Sequence, residues 1–106
     1  MTYTHADFSF SAQKAIDDHF INFSYPQRIS FTEKELAHIY HVGASILMTK
    51  HEFQQGGSFV QAVVANKMSE AFNRADSTMV RAMRIMSYVN SQAGVFKADP
   101  KFELSY

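Results

Sequence analysis

The sequence predicts an all-α fold, a small helical bundle of about four helices with extended N- and C-terminal segments. Apolar residues recur at helical spacing over most of the chain. Helix-capping residues stand where these patterns begin, and proline, glycine or a cluster of Asp, Ser and Thr stands where they end. The 106 residues suit one domain, and we expect residues 1–106 to form a single helical domain.

The composition argues against several classes of protein. Lys and Arg together number 10, as do Asp and Glu, so the chain as a whole has no field that attracts nucleic acid or an anionic membrane. The absence of cysteine removes disulfides, thiolate metal sites and thiol nucleophiles, and it suits the cytoplasm. No apolar run approaches the ~20 residues that span a bilayer, and the N-terminus lacks the pattern of a signal peptide, so no membrane partner is expected.

The chain is predicted to begin with an extended segment and one helix. Residues 3–10 alternate partly between polar and aromatic side chains, which indicates an extended segment or a short strand. From Ser11, a predicted N-cap, apolar residues recur at helical spacing until Pro26 ends the pattern.

A capping box marks the start of the second predicted helix. Thr32 and Glu35 have the spacing at which each side chain accepts a hydrogen bond from the other residue's backbone N–H. The apolar stripe that follows includes Gly43. This glycine either allows another helix to approach closely or is merely tolerated.

Two further helices are predicted after the glycine pair at 56–57. Ser58 follows a glycine pair and precedes Gln61 by one turn, which predicts an N-cap and a second capping box. The apolar face then keeps helical spacing over about five turns. We predict a break at residues 76–78 and a fourth helix that is capped by Asp76 or Ser77 and ends at Gly94, with one long helix through Asp76 as the alternative. Residues 95–106 are predicted to form an extended arm.

Candidate catalytic groups are few. Glu35 and His38 have the i, i+3 spacing of carboxylate-bridged di-metal bundles, and His41 lies one turn further along. No second Glu-x-x-His motif exists, and the later helices offer only Glu70 and Asp76 as further carboxylates. We therefore predict no catalytic residue, no metal and no cofactor. A metal-dependent enzyme centred on the Glu35 motif is the alternative.

The candidate ligand- or partner-binding residues are the cations of the last two predicted helices and the serine at the N-terminus of the third. They are Ser58, Lys67, Arg74, Arg81 and Arg84. They predict a cationic surface for phosphate groups or for an acidic partner, with a helix N-terminus contributing backbone N–H groups. The alternative is that these charges are solvated while the arginine stems cover apolar surface. Duplex DNA is not favoured, because the chain has no recognisable basic recognition helix.

The fourth predicted helix carries apolar groups on more than one side. Its candidate oligomer-interface residues are Met79, Met83, Met86 and Tyr88. A second apolar side on a helix of a short chain indicates a homo-oligomer, and methionines that fill an irregular core are the alternative.

Residues 57–76 resemble a pattern found in small accessory proteins of tailed bacteriophages, which are largely of unknown function. The matching residues are Gly-x-Phe-Val-x-Ala at 57–62, then Asn66, then Ala-x-x-x-Ala-Asp at 71–76. Lys67 stands where that pattern carries an acidic residue. The resemblance implies a helix hairpin and a location in the cytoplasm of a host bacterium, and it identifies no catalytic residue.

These observations lead us to expect a non-enzymatic phage accessory protein that binds and neutralises a host component. That component is either a defence protein or a phosphate-bearing signal molecule, and the protein is expected to self-associate. The phage context comes from the resemblance, and the binding role comes from the absence of a catalytic constellation. The alternatives are a small nucleic-acid-binding regulator that uses the cationic surface and a structural subunit of the phage particle.

Overall fold

The computed structural model describes residues 3–92, and every regular element in that range is helical, which confirms the all-α class. The α-helices are α1 (His5–Asn22), α2 (Glu33–Lys50), α3 (Ser58–Val64), α4 (Met68–Arg74), α5 (Ser77–Arg81) and α6 (Met83–Ser91). A short 3-10 helix, Arg28–Ser30, lies between α1 and α2. Within residues 3–92, no helix is both long enough and apolar enough to cross a bilayer. The predicted cap at Gly94 and the predicted arm 95–106 lie outside the described residues.

The first helix begins earlier than predicted, because Thr4 and Asp7 form a capping box. Thr4 Oγ1 accepts a hydrogen bond from the Asp7 N–H at 3.3 Å, and Asp7 Oδ2 accepts one from the Thr4 N–H at 2.9 Å. The predictions of an extended segment over 3–10 and of an N-cap at Ser11 are therefore wrong. The alternation of polar and aromatic side chains placed Phe8 in an extended segment. In the structure Phe8 lies on the buried face of the helix, one turn before Ser11.

The second helix begins at the predicted capping box. Thr32 Oγ1 accepts a hydrogen bond from the Glu35 N–H at 3.1 Å, and Glu35 Oε1 accepts one from the Thr32 N–H at 3.0 Å. Further along, a Cβ placed on Gly43 would lie 2.8 Å from Ile16 Cδ1 and 3.5 Å from Ala12 Cβ. The glycine therefore lets α1 approach α2 closely. This confirms the first of the two interpretations of Gly43, that it allows another helix to approach.

The third predicted helix is two helices rather than one. After α3, Asn66 takes a φ of 60° in the left-handed region, which asparagine tolerates better than most residues. The chain turns there before α4 begins, so the prediction of about five continuous turns is wrong. The N-cap of α3 is Gly57, and the side chain of Gln61 donates to the carbonyl oxygen of Gly56 at 2.8 Å. The predicted Ser58 cap and its capping box are therefore also wrong.

The predicted break at Asp76 is confirmed. Its Oδ1 accepts a hydrogen bond from the Met79 N–H at 2.8 Å, which caps α5. The fourth predicted helix is then divided at Ala82 into α5 and α6.

The methionines of α5 and α6 belong to the core of the single chain. Met79 exposes 2% of its surface, Met83 6% and Met86 0%. They pack with the apolar residues of α1, α2 and α3 in one cluster. This corrects the prediction that these three side chains line an oligomer interface and favours its alternative, methionines that fill an irregular core. Tyr88, the fourth predicted interface residue, is half-buried. Its ring contacts those of His19 in α1 and Phe23 at the end of α1.

Candidate functional site

Three of the five predicted binding residues line one surface cleft, which we call the α3–α4 cleft. Ser58 begins α3, Lys67 precedes α4 and Arg74 ends α4. The cleft has a volume of about 260 Å³. Its other lining residues are Gln61, Ala62, Ala65 and Glu70.

The turn between α3 and α4 creates this cleft. The Asn66 N–H donates to the Val63 carbonyl at 3.0 Å, and the Lys67 N–H donates to the Ala62 carbonyl at 2.9 Å. These hydrogen bonds end α3 and start α4 in a new direction, so that both helices contribute lining residues. Had the chain continued as one helix, residues at its two ends would have been too far apart to share a cleft of this size.

The charges around the α3–α4 cleft do not cancel. Arg74 Nη2 donates to Glu70 Oε1 at 3.0 Å along one turn of α4. Both side chains are close to half exposed, so this ion pair contributes only about 0.5 kcal/mol or less. Within residues 3–92, no carboxylate lies at ion-pair distance from Lys67. The cleft therefore offers two cations and one weakly held carboxylate.

Arg81 does not join this cleft. Its guanidinium pairs with the Glu35 carboxylate, donates to the Ser30 carbonyl at 3.0 Å and lies 5.0 Å from the ring centroid of Phe31. These contacts tie α5 to the start of α2. Arg84 lines a different cleft, so the structure does not bring the four predicted cations into one surface.

Glu35 has a structural role at the start of α2 and does not face an open site. Besides capping the helix, its carboxylate accepts a hydrogen bond from the Thr78 hydroxyl at 3.3 Å. The backbone N–H of Thr32, and then the positive charge of Arg81, hold the pKa of Glu35 below its ordinary value. The carboxylate oxygens of Glu35 therefore already accept hydrogen bonds from donors at the start of α2 and in α5.

His38 and His41 do not converge on a metal site with Glu35. His38 Nε2 lies 2.9 Å from Asp76 Oδ2, which joins α2 to the cap of α5. The backbone N–H of Met79, and then the contact with His38, lower the pKa of Asp76. In the part of the chain from 3 to 92, no three His, Asp or Glu side chains are grouped so that they could hold a metal ion.

A smaller and more apolar cleft shares Arg74 with the α3–α4 cleft. Its volume is about 190 Å³, and Val42, Phe59 and Met79 are among its lining residues. The His38–Asp76 pair lines it as well. Arg74 therefore lies beside both a polar cleft and an apolar one.

No family model, no curated protein and no solved structure matches this chain.

Proposed function

We propose that the protein is a non-enzymatic phage accessory protein that captures a phosphate-bearing host molecule in the α3–α4 cleft. The observation that carries this proposal is the convergence of Ser58, Lys67 and Arg74 around a single cleft of about 260 Å³. The phage context, and with it a location in the cytoplasm of the infected host, rests on the resemblance of residues 57–76. Sequestration would neutralise the captured molecule without any chemical change to it.

The side chains of the cleft are suited to a phosphate group. The planar guanidinium of Arg74 can donate two parallel hydrogen bonds, Lys67 supplies a compact positive charge, and the Ser58 hydroxyl is a further donor. A phosphate must compete with Glu70 for Arg74, but the exposed ion pair between them is weak. The donors and the net positive charge therefore favour a dianion over a neutral ligand.

The size of the cleft indicates which part of the ligand it holds. At about 260 Å³ it lies just below the range of about 300–1,000 Å³ that is usual for whole small-molecule sites. It therefore suits a phosphate or pyrophosphate group. The remainder of the molecule would lie in the adjoining apolar cleft beside Phe59.

The nucleic-acid alternative receives less support from the same geometry. Binding to a nucleic acid strand draws its affinity from several cations that contact successive phosphates. Arg81 is held by Glu35, and Arg84 lies in another cleft, so a continuous basic surface is not formed by the predicted residues.

Substitutions at Arg74 and Glu70 should change the binding of inorganic pyrophosphate in opposite directions. Arg74→Gln removes the main donor, and we expect binding to weaken by about tenfold or more, since a charge-assisted hydrogen bond contributes roughly 1.5–3 kcal/mol. Glu70→Gln removes the competing carboxylate and frees the guanidinium, so binding should tighten. Isothermal titration calorimetry of the full chain at low ionic strength measures both effects.

The matched control is Lys34→Gln, which removes one exposed positive charge from α2 and should leave pyrophosphate affinity unchanged. Equal weakening by Lys34→Gln and Arg74→Gln would show that only the net charge of the chain attracts the ligand. Absence of pyrophosphate binding by the unmodified chain would also overturn the proposal.

A further inference from the structure

A separate cleft lies between α1 and α6, and we call it the α1–α6 cleft. Its volume is about 300 Å³. Its lining residues are His19, Phe23, Arg84, Ser87, Tyr88 and Ser91. It shares none of these residues with the α3–α4 cleft, so a ligand here would be independent of the proposed phosphate site.

His19 is the most unusual residue of this cleft. Its side chain sits on the buried face of α1 and exposes only 2% of its surface. Its Nδ1 atom is buried and has no hydrogen-bond partner. Buried polar atoms in folded proteins are nearly always paired, because water is lost without replacement when they are not. His19 thus brings a largely buried imidazole to the wall of the cleft.

Two aromatic rings stand beside the imidazole. The ring centroid of His19 lies 4.8 Å from that of Phe23 and 5.2 Å from that of Tyr88. The centroids of Phe23 and Tyr88 are 5.4 Å apart, so the three rings form one continuous aromatic wall. Phe23 leaves 42% of its surface exposed, although a side chain of this size is normally buried. The wall therefore offers apolar area that a flat ring can cover.

Arg84 gives the cleft its charge. The side chain is exposed, and no carboxylate of residues 3–92 pairs with it. Burial, and then the positive charge of Arg84, lower the pKa of His19, which favours the neutral imidazole. The guanidinium of Arg84 is the cation among the residues that line the cleft. The cleft thus carries a single uncompensated positive charge.

We propose that the α1–α6 cleft binds a small aromatic carboxylate. The guanidinium of Arg84 matches a planar carboxylate, which it can hold through two parallel hydrogen bonds. The ring of the ligand packs against Phe23 and Tyr88, beside the imidazole of His19. A monoanion fits one cation here, whereas the two cations of the α3–α4 cleft suit a phosphate.

Benzoate is the probe that tests this assignment. The histidine ring signals of the full chain are followed by NMR at pH 7 while benzoate is added. A saturable shift of the His19 signal is expected. Benzamide, which has the same ring without the charge, and acetate, which has the charge without the ring, should each bind at least about tenfold more weakly.

Two single-charge variants localise the binding. Arg84→Gln changes an exposed side chain, so the variant should fold, and it should weaken benzoate binding by about tenfold or more while leaving pyrophosphate binding unchanged. Arg74→Gln should do the reverse. The proposal is overturned if the His19 signal does not shift with benzoate, or if the two variants weaken benzoate binding equally.

Discussion

Replacing Phe8 by alanine should lower the free energy of unfolding by about 3–5 kcal/mol. Phe8 is fully buried, and its ring centroid lies 5.7 Å from that of Tyr3 and 4.8 Å from that of Phe53. The substitution removes apolar surface and aromatic contacts that join the start of α1 to the segment after α2, and it leaves a cavity. Urea unfolding followed by circular dichroism measures the change. Since domains of this kind are stable by only about 5–15 kcal/mol, the loss would be a large fraction of the total.

Phe10→Ala is the matched control for Phe8→Ala. Phe10 lies on the same helix, but 60% of its surface is exposed, so its loss should change stability by no more than about 0.5 kcal/mol. If residues 3–10 were instead an extended segment, the two phenylalanines would lie on the same side of the chain. Similar effects for both variants would therefore contradict the helical start of α1.

Gly43→Leu should destabilise the protein by about 1–3 kcal/mol, because it places a large side chain between α1 and α2. Even a Cβ at this position would lie 2.8 Å from Ile16 Cδ1, and Ile16 is itself fully buried. Gly43→Ala should have a smaller effect. The contact involves only the end of the isoleucine side chain, and alanine favours a helix over glycine by about 1 kcal/mol. Thermal unfolding of the variants gives the order of stabilities.

Ala37→Leu, on the exposed face of α2, controls for the addition of a leucine to this helix. It should change stability by no more than about 0.5 kcal/mol. A Gly43→Leu variant as stable as the unmodified chain would mean that α1 and α2 do not approach each other at this point.

Local sequence patterns predicted the starts of α2 and α5, whereas the same kind of pattern at Ser58 and Gln61 does not cap α3. Thr32 and Glu35 cap α2 as expected, and Asp76 caps α5. Thr4 and Asp7 make the same kind of capping box at α1, with Asp in place of Glu. The pattern was therefore present in the sequence, but the aromatic alternation around Phe8 concealed it.

The turn at Asn66 could not be found in the same way. Apolar residues keep their helical spacing on both sides of it, and a single asparagine is only a mild helix breaker. The left-handed φ of this residue belongs to the local C-cap of α3, in which the N–H groups of Asn66 and Lys67 donate to carbonyl oxygens of the last turn of the helix. The same turn brings Lys67 and Arg74 to one cleft, so the residue types of the candidate site were predictable but their arrangement was not.

A contact between residues that are distant in the sequence keeps Arg81 out of the α3–α4 cleft. Arg81 binds Glu35, and the two residues lie 46 positions apart in the sequence. No local pattern predicts such a contact. His19 was missed for a related reason, because its place on the apolar stripe of α1 indicated a core residue, and only the structure shows the cleft that it shares with Arg84.

The location of pyrophosphate on the protein decides whether the α3–α4 cleft is the binding site. Backbone amide signals of the uniformly labelled full chain are mapped by NMR as inorganic pyrophosphate is added. We expect the largest saturable shifts at Lys67 and in α4 around Arg74, with the signals of Ser87 and Ser91 unchanged. Shifts centred on Arg81 or Arg84, or spread evenly over all cationic residues, would contradict the proposed function.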